Sequence, residues 1–492
     1  MSQLTTKGNL IGNQWTPAEG APFKSISPTD DSVVWDGGAA DHQQVQQATA
    51  AARIACGPWW DQPLENRIAV VTRYAEIVKD KTDELATLIS AEVGKPLWEA
   101  KTEVGAVVGK SAVSISALKE RRNDSSFEMG ELRAATRYKP FGVMGVLGPF
   151  NFPAHLPNGH IVPALLAGNT IVFKPSEHTP AVGQWMVQQW QEAGLPEGVI
   201  NLIQGGRDTA INLAHDEDLD GLLFTGSSTA GRALHQTYGQ WPQKILALEM
   251  SGNNPLIIHD VGDVDAAAYH TIQSAFVTSG QRCTCARRLI LIAGNEADRV
   301  VESLLAMIPK VTFGYWSDDK EPFAGTVISK AQGQRLLESQ DSLIAAGAEP
   351  LLRSQMLRDN AALVSPGLLD ATSVKDGIDD EMFGPILQII RVKDFSEALL
   401  EANRTAYGLA ASLFSDDESK YKAFIHGIRA GVVNWNRATT GATGKLPFGG
   451  CGISGNNRPS GYFATDYCNW PVASLEAERL EMPDSVATGI EI

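Results

Sequence analysis

The stretch Gly221-Leu222-Leu223-Phe224-Thr225-Gly226-Ser227-Ser228-Thr229-Ala230-Gly231 turns a short apolar run into a helix-forming one. An apolar run of this length bounded by glycine reads as a buried strand, and residues 228–236 read as a helix. At such a strand-to-helix turn, glycine lets backbone N–H groups approach a pyrophosphate at the helix N-terminus. The spacing is not Gly-x-Gly-x-x-Gly, so an ordinary glycine-rich turn is the competing reading.

The same alternation extends outward on both sides. Strands are predicted at 170–174, 199–203 and 244–248, and helices at 155–166, 179–193 and 208–214. A second series follows, with strands at 255–259 and 288–293 around a helix at 263–276, and it continues to about Val433. Alternation of this kind gives an α/β fold, a mostly parallel sheet with helices on both faces that binds ligands at the carboxyl ends of its strands. Upstream, Asp41 caps a helix that Gly57-Pro58 stops near Cys56. Helical spacing runs without a break over 64–93, and another helix covers 97–118. Residues 131–147 alternate as extended strands, and 467–475 is strand-like.

A chain of 492 residues is too long for one compact core, so two or three domains are expected. A net charge of -16 argues against a nucleic-acid surface or an anionic membrane as the main partner. The five cysteines, Cys56, Cys283, Cys285, Cys451 and Cys468, form no regular framework. With no export signal in residues 1–7, this points to a reducing, cytoplasmic setting. No second Cys/His cluster accompanies Cys283-Thr284-Cys285, so no metal site is expected and Cys285 reads as structural. No run reaches the roughly 18 apolar residues of a membrane span.

Two segments carry reactive groups. Glu249 closes the apolar run Ile245-Leu246-Ala247-Leu248, and a carboxylate at a strand end can act as a base toward water. Ser279-Gly280-Gln281-Arg282-Cys283-Thr284 is a small-residue loop in which the adjacent cation would favour the thiolate. Together they suggest covalent catalysis through a thioester; the competing reading of the thiol is an inert buried side chain. Asn151 stands in the rigid loop Pro149-Phe150-Asn151-Phe152-Pro153. Lys174 and Glu177 lie at a strand end, where they could hold ribose hydroxyls while the carboxylate repels a 2'-phosphate, favouring NAD over NADP. A salt-bridged surface turn is the alternative. Glu381-Met382-Phe383-Gly384-Pro385 offers either a second ribose contact or a solvated continuation of Asp379-Asp380.

Seven motifs in order resemble the aldehyde dehydrogenase superfamily over nearly the whole chain. They are Pro149 to Pro153, Lys174 to Glu177, Phe224 to Ser227, Leu248-Glu249, Gly280 to Cys283, Glu381 to Pro385 and Pro447-Phe448-Gly449-Gly450. The resemblance implies an aldehyde dehydrogenase-like fold: a Rossmann-type NAD-binding domain (1–130 and 150–254), an α/β catalytic domain (255–455) and a strand arm for oligomerisation (131–149 and 456–492). It implies that Cys283 is the nucleophile, that Asn151 and the Cys283 N–H stabilise the oxyanion, and that Glu249 activates water. Lys174, Glu177, Gly226, Ser227, Glu381 and Phe383 would contact NAD, and the chain would form a homodimer or dimer of dimers.

Two departures touch the subfamily. Met250-Ser251-Gly252-Asn253 replaces the usual Leu-Gly-Gly-Lys, and Thr278 stands where an asparagine is common five residues before the nucleophile. Residues 434–442, 454–460, 466–468 and 280–288 are similar to the branch acting on N-succinylglutamate 5-semialdehyde in arginine catabolism. Such an anionic aldehyde needs cations in its pocket, for which Arg282, Arg437 and Lys445 are candidates. Another anionic aldehyde, such as succinate semialdehyde, is the nearest alternative, followed by a catalytically silent protein of this fold.

Overall fold

Apolar β-branched runs joined through amphipathic helices build two seven-stranded sheets and a separate three-stranded one. The computed structural model describes residues 5–374, 379–483 and 485–491. Residues 1–4, on which the expectation of no export signal partly rests, lie outside them.

The first sheet has the order Ile245–Met250, Gly221–Gly226, Val143–Leu147, Thr170–Lys174, Ile200–Leu202, Asn9–Ile11, Gln14–Thr16, and its first five strands are parallel. Those five are almost wholly buried, which is why they read as continuous apolar runs rather than alternating ones. From Val143–Leu147 the chain steps outward through Thr170–Lys174 to Ile200–Leu202. It then returns to the other side of Val143–Leu147 for Gly221–Gly226. That reversal opens a crevice at the carboxyl ends of Val143–Leu147 and Gly221–Gly226, the usual ligand position of such sheets.

The second sheet runs Glu349–Leu352, Gly367–Asp370, Ile386–Val392, Ala286–Ile292, Asn254–Ile258, Ala410–Phe414, Val432–Trp435. Only three residues separate Met250, the end of one sheet, from Asn254, the start of the other. Glu249 is thereby placed at the junction of the two units. Local chemistry sets the helix starts: Ser227 Oγ accepts from Ala230 N at 3.2 Å, Asp263 from Ala266 N at 2.9 Å and Asp41 from Gln44 N at 2.8 Å. Each such cap contributes about 1 kcal/mol. No described helix is long and apolar enough to cross a membrane.

Three expectations are corrected. The helix His42–Trp60 runs through Pro58. The proline lies in its last turn, where one lost bond is offset by buried Trp59, whose indole N–H donates to Leu165 O at 3.1 Å. The helical run 64–93 is two helices, Leu64–Asp80 and Thr82–Val93, parted at Lys81, whose Nζ reaches Gln189 Oε1 at 2.7 Å. The expected arm 131–149 mixes two sheets. Leu132–Pro140 pairs with Ser125–Met129 and Asn469–Glu476, whereas Val143–Leu147 is a central strand of the first sheet. The alternation looked continuous because a strand leaving one sheet and entering another needs only a short turn.

Candidate active site

The nucleophile loop is bent by three consecutive residues in the left-handed region: Thr278 (φ 58°), Ser279 (φ 53°) and Gly280 (φ 72°). Gly280 is required there, since a Cβ would lie 2.1 Å from Gly384 O. The other two are strained and need external holds. Ser279 Oγ donates to Gly325 O at 2.7 Å, and Asn254 Nδ2 donates to Cys283 O at 2.7 Å and Cys285 O at 2.8 Å. Cys283 is half-buried at the end of this bend, and Cys285 is fully buried.

Burial pushes the Cys283 thiol well above its usual range, the carboxylates of Glu249 and Glu381 push it further, and Arg287 only partly opposes them. The expected help from Arg282 is absent. Its Nη2 donates to Glu99 Oε1 at 2.8 Å and its Nε to Thr278 Oγ1 at 2.7 Å, so the guanidinium points into a structural network. Sequence adjacency placed the charge near the thiol, but the bent backbone turned it away.

Glu249 is 4% exposed, and its Oε1 is buried without a hydrogen-bond partner among the described residues. Burial raises its pKa well above the carboxylate range, making it a stronger base than a solvated carboxylate. Thr225 is its register partner on the neighbouring parallel strand. Thr225 Oγ1 meets His160 Nε2 at 3.0 Å, and His160 Nδ1 meets Tyr467 OH at 2.9 Å. Burial pushes His160 down to about 3, so the ring is neutral. Nothing in the sequence linked residues 160, 225 and 467.

Asn151 is buried, and its Nδ2 donates to Gln281 O at 2.9 Å, which ties the proline-bounded loop to the nucleophile loop. Its own carbonyl accepts from Lys95 Nζ at 2.7 Å. Asn151 is thus bonded two residues before Cys283, and the Glu249 carboxylate is near enough to raise the Cys283 pKa.

Lys174 ends its strand buried, donating to Pro175 O and Gly205 O at 2.7 Å each, with Glu177 at 4.0 Å. Burial pushes its ammonium down to about 8 against the pull of Glu177. Gly226 and Ser227 form the turn into the helix Ser228–Tyr238. Glu381 is not solvated. It accepts from Arg287 Nη2 at 3.3 Å, and burial raises its pKa while Arg287 and Ser251 oppose the rise. Phe383 sits edge-on to Phe150, ring centroids 5.9 Å apart, with the Arg287 guanidinium 5.5 Å from its ring. Arg287, fully buried, belongs to none of the motifs that mark the site in the sequence; its place four residues after Cys283 is the signal that points to it. Arg437 and Lys445 are exposed, and the Arg437 carbonyl accepts from Ser412 Oγ at 2.6 Å.

Residues 15–472 match the model of the aldehyde dehydrogenase family. A relative from Ectopseudomonas mendocina (strain ymp), an N-succinylglutamate 5-semialdehyde dehydrogenase, is 50% identical over 98% of this chain and 99% of its own. A relative of the same name from Chromobacterium violaceum is also 50% identical, with the same coverage. Among solved structures, an NAD-dependent aldehyde dehydrogenase from Sinorhizobium meliloti superposes with a TM-score of 0.92 at 28% identity, covering 98% of this chain and 97% of the other. The indole-3-acetaldehyde dehydrogenase of P. syringae, in complex with NAD+ and IAA, does so with a TM-score of 0.91 at 26% identity, covering 97% of each.

Proposed function

Because the chain belongs to the aldehyde dehydrogenase family, we propose that it oxidises N-succinyl-L-glutamate 5-semialdehyde to N-succinyl-L-glutamate with NAD, a step of arginine catabolism. The observation that carries this reading is that the buried Glu249 carboxylate, its Oε1 unpartnered among the described residues, acts on the half-buried Cys283 thiol while the Asn151 amide is bonded to the nucleophile loop at Gln281. The half identity to relatives of that activity over nearly the full length supports the substrate.

In this mechanism the Cys283 sulfur, as thiolate, bonds to the aldehyde carbon and forms a thiohemiacetal. The Asn151 Nδ2–H and the Cys283 backbone N–H steady the oxyanion, a contribution of about 3 kcal/mol for each such donor. NAD held at Lys174, Glu177, Gly226 and Ser227 would supply the hydride-accepting chemistry by which the thiohemiacetal is converted to a thioester. Glu249 takes a proton from water, the oxygen attacks the thioester carbon, and the carboxylic acid leaves as the thiol re-forms. The neutral Tyr467–His160–Thr225 set lies beside Glu249 and keeps this wall polar without adding charge.

The donor set at the sheet edge fits the dinucleotide. Lys174 Nζ has one proton beyond its two carbonyl bonds, and Glu177 is half-exposed 4.0 Å away, a donor and acceptor matched to vicinal ribose hydroxyls. Gly226 and Ser227 present the helix start to phosphate, and Glu381 with Phe383 would hold the nicotinamide half. With Arg282 paired to Glu99, exposed Arg437 and Lys445 remain of the three candidate cations for a substrate carboxylate.

The three-stranded sheet leaves two outer edges, with Phe127 and Leu475 more than 60% exposed. Covering them would form a homodimer or dimer of dimers. Five free cysteines agree with a cytoplasmic location.

The test is NADH formation with N-succinylglutamate semialdehyde, succinate semialdehyde and a neutral aliphatic aldehyde, with NADP in parallel. Preference for the first with NAD supports the proposal. Equal rates on all three would keep the reaction class and overturn the substrate.

A further inference from the structure

The helix Leu97–Arg121 takes no part in the chemistry, yet it carries two buried carboxylates, Glu99 and Glu103, on one face a turn apart. Each is bonded to a different catalytic loop. Glu103 Oε1 accepts from Ala154 N at 2.9 Å and His155 N at 3.1 Å, on the far side of the Asn151 loop. Its Oε2 accepts from Lys95 Nζ at 2.8 Å, and the same ammonium donates to Asn151 O at 2.7 Å. Lys95 also stands 3.9 Å over the Phe152 ring. That loop is therefore held by one carboxylate, directly just past its C-terminal end and through Lys95 at its centre.

Glu99 does the equivalent for the nucleophile loop. Its Oε1 accepts from the Thr278 hydroxyl and from Arg282 Nη2 at 2.8 Å, and Arg282 Nε donates back to Thr278 Oγ1 at 2.7 Å. Thr278 is the position that departs from the superfamily's common asparagine. At φ 58° a β-branched residue is costly, whereas asparagine tolerates that backbone unaided. The hydroxyl bonded to Glu99 supplies the hold that asparagine would not need.

We propose that Glu99 and Glu103 are positioning residues: through Thr278 and Arg282 the first fixes the loop of Cys283, and through Lys95 the second fixes the loop of Asn151. One rigid helix thereby sets the separation of the thiol and its oxyanion donor. On this account Arg282 serves the loop and not a substrate carboxylate. The inference rests on the proposed roles of Cys283 and Asn151.

The test combines Glu99→Ala, Thr278→Val and Glu99→Ala/Thr278→Asn, read by kcat, KM and the rate of Cys283 alkylation by iodoacetamide followed by mass spectrometry. Glu99→Ala and Thr278→Val are each expected to lower kcat about 10- to 100-fold with KM nearly unchanged, since misplacement near 1 Å is enough for this. Both change the alkylation rate more than about threefold, whereas Glu103→Gln lowers kcat and leaves alkylation alone. Adding Thr278→Asn to Glu99→Ala restores most of kcat. If Glu99→Ala fails to fold, Thr278→Val reads the same contact. Unchanged kcat in the folded variants, or a loss that Thr278→Asn does not relieve, overturns the inference. The alkylation rate reports on the loop even if the aldehyde assignment is wrong, so the two failures are distinguishable.

Discussion

Replacing Arg287 by methionine isolates a charge pair that holds the cofactor side of the site to the catalytic side. The guanidinium is fully buried and donates to Glu381 Oε1 at 3.3 Å, Gly384 O at 3.3 Å and Arg282 O at 3.1 Å. Its removal strands the Glu381 carboxylate, whose side chain is 8% exposed, without a cation. Breaking a buried pair from one side costs about 3–5 kcal/mol, and Glu381→Met, which strands Arg287, falls in the same range. Removing both charges together is close to neutral, so the double variant should lie within about 1 kcal/mol of the wild type. The coupling in the cycle is then at least about 5 kcal/mol. Urea unfolding of the four proteins at pH 7.5, with slopes compared, measures it. Arg287 also lowers the Cys283 pKa, so Arg287→Met should slow alkylation of the thiol at that pH. Single-variant costs that simply add in the double variant would refute the pairing, and unchanged alkylation would remove Arg287 from the thiol's surroundings.

Cys283→Ala should abolish aldehyde oxidation while NAD affinity, measured by calorimetry, stays within a few-fold; retained turnover would remove the covalent mechanism. Asn151→Ala should lower kcat by about 10²–10³ with a small change in KM, and a loss confined to KM would count against an oxyanion donor. Because burial and two carboxylates raise the Cys283 pKa, the thiolate fraction of the cofactor-free protein increases as pH rises. Its alkylation rate should therefore climb about tenfold per pH unit from pH 7 to 9, and a plateau below pH 8 would show that the thiol is not shifted upward. Glu177→Gln removes the charge that repels a 2'-phosphate, so the NADP-to-NAD ratio of kcat/KM should rise about tenfold, and an unchanged ratio would place the ribose elsewhere.

The alternation of elements, their alignment to the motifs and the settings of Cys283 in a glycine bend, Glu249 at a strand end and Asn151 in a proline-bounded loop were legible because each depends on neighbours a few residues away; the roles proposed for the three come from the family resemblance. The run ending at Glu249 had to be a strand, and the glycine before Cys283 had to mark a bend. Local pattern failed where direction or partnership depended on distant chain. It took Lys81 for part of a continuous helix and put the central strand Val143–Leu147 in the arm. It also aimed Arg282 at the thiol, when Glu99, 183 residues away, holds that guanidinium. Glu381 read as a choice between ribose contact and solvated carboxylate, and only the fold brought Arg287 against it. The sequence by itself determined the periodicities and which residue types could react. The tertiary structure decided which charges were buried together and which way each side chain faced, because a buried ion finds its partner through the packing of helices and sheets, which no local spacing encodes.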